Sequence, residues 1–217
     1  MFPELTAPKL PIAIRTEHTV DKHTTFRVQQ HGKGLSGGKF TISGPTAEHT
    51  KGSSAKEQQS AALLHVDGKY MSLEEKRAFR DASGLPLFDV YHRAIGVTWY
   101  VELPGGNGAP IARIMPRFSA LKDNLEVCLK NAAADGEEVR LHVRGQDIWK
   151  QRTNVYLGDK VVMTAKRTDK LSVYLPTKKL EWVVDIAAGM DISLASLIVV
   201  VMAANMYDSS MQSSSAF

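Results

Sequence analysis

The chain has 217 residues, 43% of them hydrophobic, and a formal net charge of +4 from 27 basic and 23 acidic side chains. That is enough apolar material for one sizeable core, and too mild a charge to demand a nucleic-acid partner. The single cysteine, Cys128, excludes an intramolecular disulfide framework and fits a reducing compartment.

Residues 1–24 carry Pro3, Pro8 and Pro11 and read as an extended segment lying along the outside of a domain. The start Met-Phe-Pro-Glu-Leu-Thr has no basic stretch followed by an apolar block, so no signal peptide is expected. The expected place is the cytoplasm, with the membrane periphery or the nucleus as further options. Period-two alternation begins at Thr25, with Phe26 and Val28 on one face and Arg27 and Gln29 on the other. Further strands are expected at Lys39–Ser43, Leu63–Val66, Leu87–Tyr91, Thr98–Leu103 and Ile111–Met115. Asp67-Gly68 reads as a hairpin signal, 47–60 as a long polar loop, and Arg77 to Asp81 as a lead-in to the turn Ala82-Ser-Gly-Leu-Pro86. Clearer alternation follows around Leu125–Leu129, Val139–Val143, Val161–Lys166, Leu171–Leu175 and Trp182–Ile186.

The last element differs in kind. From Asp191 to Asp208 lie 16 residues with no charge, among them Ile192, Leu194, Leu197, Ile198, Val201 and Met202. As a helix they span ~24 Å, short of the ~30 Å core of a bilayer. Both flanks are aspartates, where a membrane anchor carries Lys or Arg. A run that is apolar all round must then be buried in its own protein, and Asp191 is suited to cap its N-terminus. The prediction is one mainly-β domain over 25–207, a closed antiparallel barrel of about twelve strands whose lumen is filled by this C-terminal helix. The serine-rich residues 208–217 read as a flexible tail.

Several segments resemble the LURP-one-related family. They are Asp81-Ala-Ser-Gly-Leu-Pro-Leu-Phe88, Val143-Arg-Gly145, Thr153-Asn-Val-Tyr-Leu-Gly-Asp-Lys-Val-Val-Met-Thr-Ala-Lys-Arg167, and Val184-Asp-Ile-Ala-Ala-Gly-Met-Asp-Ile192 before the apolar helix. The resemblance covers about 25–207. It implies the barrel shared with tubby C-terminal domains and phospholipid scramblases, threaded by a hydrophobic helix, and it implies no catalytic residues. By analogy with tubby domains it suggests phosphoinositide-responsive membrane tethering. Where those domains grip a headgroup with a Lys and an Arg, Tyr91-His-Arg-Ala94 offers His92 and Arg93, which points to weak binding. The cysteine-rich and proline-rich stretches of scramblases are missing, so lipid scrambling is not expected.

Other chemistry finds little support. Gly32-Lys-Gly-Leu-Ser-Gly37 matches a dinucleotide fingerprint in letters only, because a strand and not a helix follows it. The seven histidines show no metal-ligand spacing, so neither a metal nor another cofactor is expected. Cys128 sits on the outward phase of its strand and reads as an inert surface thiol. Between Arg140 and Lys179, ten Lys or Arg face three Asp. Arg140 and Arg144 share the outward phase of one strand, and Lys166, Arg167 and Lys170 cluster near a turn. With Arg93 they form the candidate set for anionic lipid headgroups. The expected role is a non-enzymatic binding module. The alternative is a protein-interaction scaffold in a stress or defence response, read through loops 45–60 and 104–110.

Overall fold

The computed structural model describes residues 3–31, 38–44, 61–68, 76–93, 95–106, 108–117, 124–147, 151–168 and 180–214, with side chains as far as 205. Twelve strands run in chain order: β1 (Thr24–His31), β2 (Lys39–Ser43), β3 (Ala62–Gly68), β4 (Arg77–Asp81), β5 (Pro86–His92), β6 (Trp99–Glu102), β7 (Ala112–Pro116), β8 (Asn124–Asn131), β9 (Glu137–Gly145), β10 (Arg152–Leu157), β11 (Lys160–Arg167) and β12 (Glu181–Ile186). Each pairs antiparallel with its neighbours in sequence, and β1 pairs with β12, which closes the barrel. Closure leaves no strand edge to template aggregation. The period-two pattern then sorts residues strictly: Phe26, Val28, Val127, Leu141, Val143, Val155 and Val184 point inward and are fully buried.

The helix α1 (Ile192–Ser214) threads this cylinder. Leu194, Leu197, Ile198, Val201 and Met202 are at most 2% exposed, and small residues such as Ser193, Ala195 and Ser196 are equally covered. Ile192, also expected in the core, is half-buried and packs against it. A helix with no polar face needs a cylinder of apolar walls, and twelve strands make one wide enough. Among the described residues no helix is long and apolar enough to cross a membrane. The helix continues past the boundary expected at 207, because no Gly or Pro interrupts the chain before Ser214.

Three local readings are corrected. Asp67-Gly68 is not a hairpin: both residues continue β3, pairing with Ala78 and Arg77 of β4. Arg77–Asp81 is accordingly a strand and takes a place in the barrel, while the strand expected at 171–175, the loop at 47–60 and the glycine motif at 32–37 lie outside the described residues. The N-terminal segment runs along the outside only at first, where Thr6 N–H donates to Val161 O at 2.8 Å. It then turns under the barrel, and Ile12, Ala13 and Ile14 are buried there.

That floor is held by polar side chains. Asn131 Oδ1 accepts the N–H of Ala13 at 3.0 Å, and its Nδ2 donates to Pro11 O at 2.8 Å. Asp191 accepts from four donors: Ile14 N and Arg15 N at Oδ2, Ser193 N and Ser193 Oγ at Oδ1. Gly189 makes the corner between β12 and α1 with φ +85, and a Cβ there would press on Pro8 Cγ at 3.3 Å. Only glycine meets both demands.

Candidate functional site

The outer faces of β9, β10 and β11 form a small grid. Cross-strand register aligns Arg144 with Asn154 and Asn154 with Thr164, and one row further on Arg152 with Lys166. Gln146 follows β9 at the same level, its N–H donating to Arg152 O at 2.8 Å. Between them opens a cleft of about 200 Å³ lined by Gln146, Arg152, Asn154, Thr164, Ala165 and Lys166, with Pro3 of the N-terminal segment at its side. Arg144 Cζ lies 5.4 Å from the Tyr156 ring centroid, which sets the guanidinium over that ring. Asp147 is the acidic neighbour: its carboxylate accepts the backbone N–H groups of Gln151 and Arg152 at 3.0 Å each, and its Oδ2 lies 3.5 Å from Arg152 Nε. Two guanidiniums, an ammonium, two amides and a hydroxyl make a donor-rich surface that matches phosphate oxygens.

The expected cations do not all converge. Arg144 and Lys166 belong to the grid. Arg140 is outward on β9 as expected, but Glu126 Oε1 lies 3.4 Å from its Nε and Glu138 Oε1 3.4 Å from its Nη2. Its charge is already countered. Arg93 stands apart at the end of β5, exposed, with Cζ 4.7 Å from the Tyr100 ring centroid. Lys170 lies outside the described residues. Arg167 corrects the sequence reading: it faces the barrel interior opposite Trp182 and is only 3% exposed. Adjacent strand residues point to opposite faces, so Lys166 and Arg167 cannot share an outer cluster.

Arg152 was missed, although its signal was present. Counting back from outward Tyr156 through Asn154 places Arg152 outward on the same strand. Another polar cleft is less cationic. On β1–β4 a depression of about 420 Å³ holds Lys39 and Arg80, but Asp67 lies 3.7 Å and 3.6 Å from them.

Cys128 is buried on the outer face, 6% exposed, beside Glu126 at 3.7 Å and not at the open surface expected for it. Burial, reinforced by the Glu126 charge, pushes its thiol up, away from the thiolate that nucleophilic chemistry needs. Glu126 itself is held below the usual carboxylate range, chiefly by its hydrogen bonds from Arg117 and against the effect of burial. Among the described residues no three His, Cys, Asp or Glu side chains are grouped to hold a metal ion.

A closed twelve-stranded antiparallel barrel around an apolar helix is a tubby-like fold. The family model for LURP-one-related proteins matches residues 24–203, and the chain belongs to that family. The X-ray structure of a protein from Arabidopsis thaliana superposes with a TM-score of 0.57 at 17% sequence identity, covering 90% of this chain and 99% of that one. At that identity the likeness carries the fold alone. Among curated proteins nothing matches.

Proposed function

We propose that the protein is a non-catalytic binding module that docks weakly and reversibly on anionic phospholipid headgroups at the cytoplasmic face of a membrane. The observation that carries this reading is the grid of Arg144, Arg152 and Lys166 on three adjacent strands, with the amides of Gln146 and Asn154 and the hydroxyl of Thr164 among them. A phosphate ester prefers such a surface, where cations supply attraction and neutral donors fill the remaining oxygens. Each cation near an anionic leaflet contributes about 1 kcal/mol, so a few of them give docking that salt readily reverses. The aromatic rings under Arg144 and Arg93 fix both guanidiniums in advance, which lowers the entropy lost on contact.

The scaffold alternative has less behind it. Loop 45–60 lies outside the described residues, and beside the loop at 104–110 the exposed large apolar side chain among the described residues is Leu103. The test is co-sedimentation with phosphatidylcholine vesicles that do or do not contain phosphatidylinositol phosphates, at low and high salt. Salt-sensitive binding to the charged vesicles is expected, and its loss in the triple variant Arg144→Glu, Arg152→Glu, Lys166→Glu. Binding that ignores these reversals, or no binding at all, rejects the reading.

A further inference from the structure

All connections from an odd-numbered strand to the next even-numbered one lie at one end of an antiparallel meander barrel. The opposite end is the floor sealed by Ile12–Ile14 and the start of α1. At the first end, where Asn205 of α1 meets Trp99 at the start of β6, the β5–β6 connection carries Ile95 at 93% and Val97 at 62% exposure, with Gly96 between them at φ 109. Turns are ordinarily built from Gly, Asn, Asp, Ser and Pro, and two β-branched apolar side chains at a turn gain nothing from water. Arg93 stands directly before this tip, held on the Tyr100 ring, and Arg152 and Lys166 sit at the same end of β10 and β11.

Resting on the membrane reading above, we propose that the barrel docks end-on, with Ile95 and Val97 inserted into an anionic bilayer and Arg93, Arg152 and Lys166 at headgroup depth. An apolar tip flanked by Arg93, with Arg152 and Lys166 across the same rim, suits an anionic lipid surface, because the acyl region takes the side chains while phosphates meet the charges. Among the described residues the other exposed large apolar side chains, Leu10, Leu85 and Leu103, belong to the floor end. There Asp81, Asp135, Glu137, Glu138 and Asp159 outnumber Lys130 and Lys160 at the same strand ends and would repel the same membrane. Polarity of charge along the barrel axis therefore selects one end.

The test places an environment-sensitive fluorophore on Ile95→Cys in a Cys128→Ser background, with Leu85→Cys as the control for the opposite end. The vesicles are phosphatidylcholine containing phosphatidylserine and phosphatidylinositol phosphates. The expected result is a blue shift at 95, quenching by acyl-chain quenchers and protection from iodide, with position 85 unchanged. The unlabelled variant Ile95→Asp, Val97→Asp should lose affinity for these vesicles by about tenfold or more, with unaltered melting. A label at 95 that stays open to iodide while the protein is vesicle-bound overturns insertion and leaves headgroup docking standing. Insertion at 85 reverses the orientation and overturns the proposal likewise. Failure of the unlabelled wild-type chain to bind any vesicle overturns both.

Discussion

The Asp191 carboxylate accepts the backbone N–H of Ile14 at 2.9 Å, joining the start of the central helix to a residue 177 positions earlier in the chain. The same Oδ2 takes Arg15 N, while Oδ1 caps the helix through Ser193 N and Oγ. Burial pushes this carboxyl up, against the hydrogen bonds that pull it down. Asp191→Ala leaves buried N–H donors at both the helix start and the N-terminal segment without a partner. A loss of about 3 kcal/mol is expected, combining the cap and the orphaned donors. For a chain of this size that lowers Tm by roughly 6–12 °C, which a calorimetric melt reads. A change below 1 °C would show that the floor is not held from this residue.

The lumen predicts its own fragility. Leu197 is fully buried among inward strand residues, and its removal leaves a void that a closed barrel cannot collapse to fill. Leu197→Ala is expected to cost about 2–5 kcal/mol in chemical denaturation. Deleting residues 191–217 removes the filling entirely, and no cooperative unfolding transition should remain. A truncated chain that melts sharply would mean that the strands close on themselves without the helix.

Glu126 gives the pH dependence a sign. Its folded pKa lies below the ordinary value of 4.5 because Arg117, with Arg140 further off, favours the charged form. His142 is its cross-strand neighbour on β9. A depressed carboxylate contributes stability that is fully present above its unfolded pKa and is lost as pH falls through the folded one. The stability difference between wild type and Glu126→Gln should therefore be largest near neutrality and shrink below about pH 4.5. Denaturation curves across this range check it, and a difference that grows on acidification contradicts the Arg117 pairing.

The architecture was legible because two patterns stand out in the residues. Alternation every second position gave the strand faces, and the uncharged stretch after Asp191 gave the filling helix. What alternation does not encode is long-range closure. Nothing near Ile12–Ile14 says that they will be covered by Asn131 and Asp191, since both partners lie more than a hundred positions away. Asp67-Gly68 misled for a related reason: the turn dipeptide is local, while its pairing with Arg77 and Ala78 decides that it stays in the strand. At the site, charge density in the sequence was the wrong measure. Register chose Arg152 over Arg167, and it set Arg140 among carboxylates.

Those placements rank the arginines by what each should do. Arg152→Gln removes an outward cation from the rim and is expected to weaken binding to phosphoinositide vesicles about fivefold, equivalent to about 1 kcal/mol, with little change in Tm. Arg140→Gln should do less, because two carboxylates, Glu126 and Glu138, answer its charge where Arg152 meets Asp147 alone. Arg167→Ala should behave in the opposite way. Its side chain is almost wholly enclosed on the inner face, so stability falls by about 2 kcal/mol or more while the affinity of the folded fraction is unchanged. Co-sedimentation at low salt, paired with a melt of each variant, separates the two behaviours. An Arg167→Ala protein that melts like wild type but fails to bind would move the binding surface away from the outer face of β9–β11 and into the mouth of the barrel.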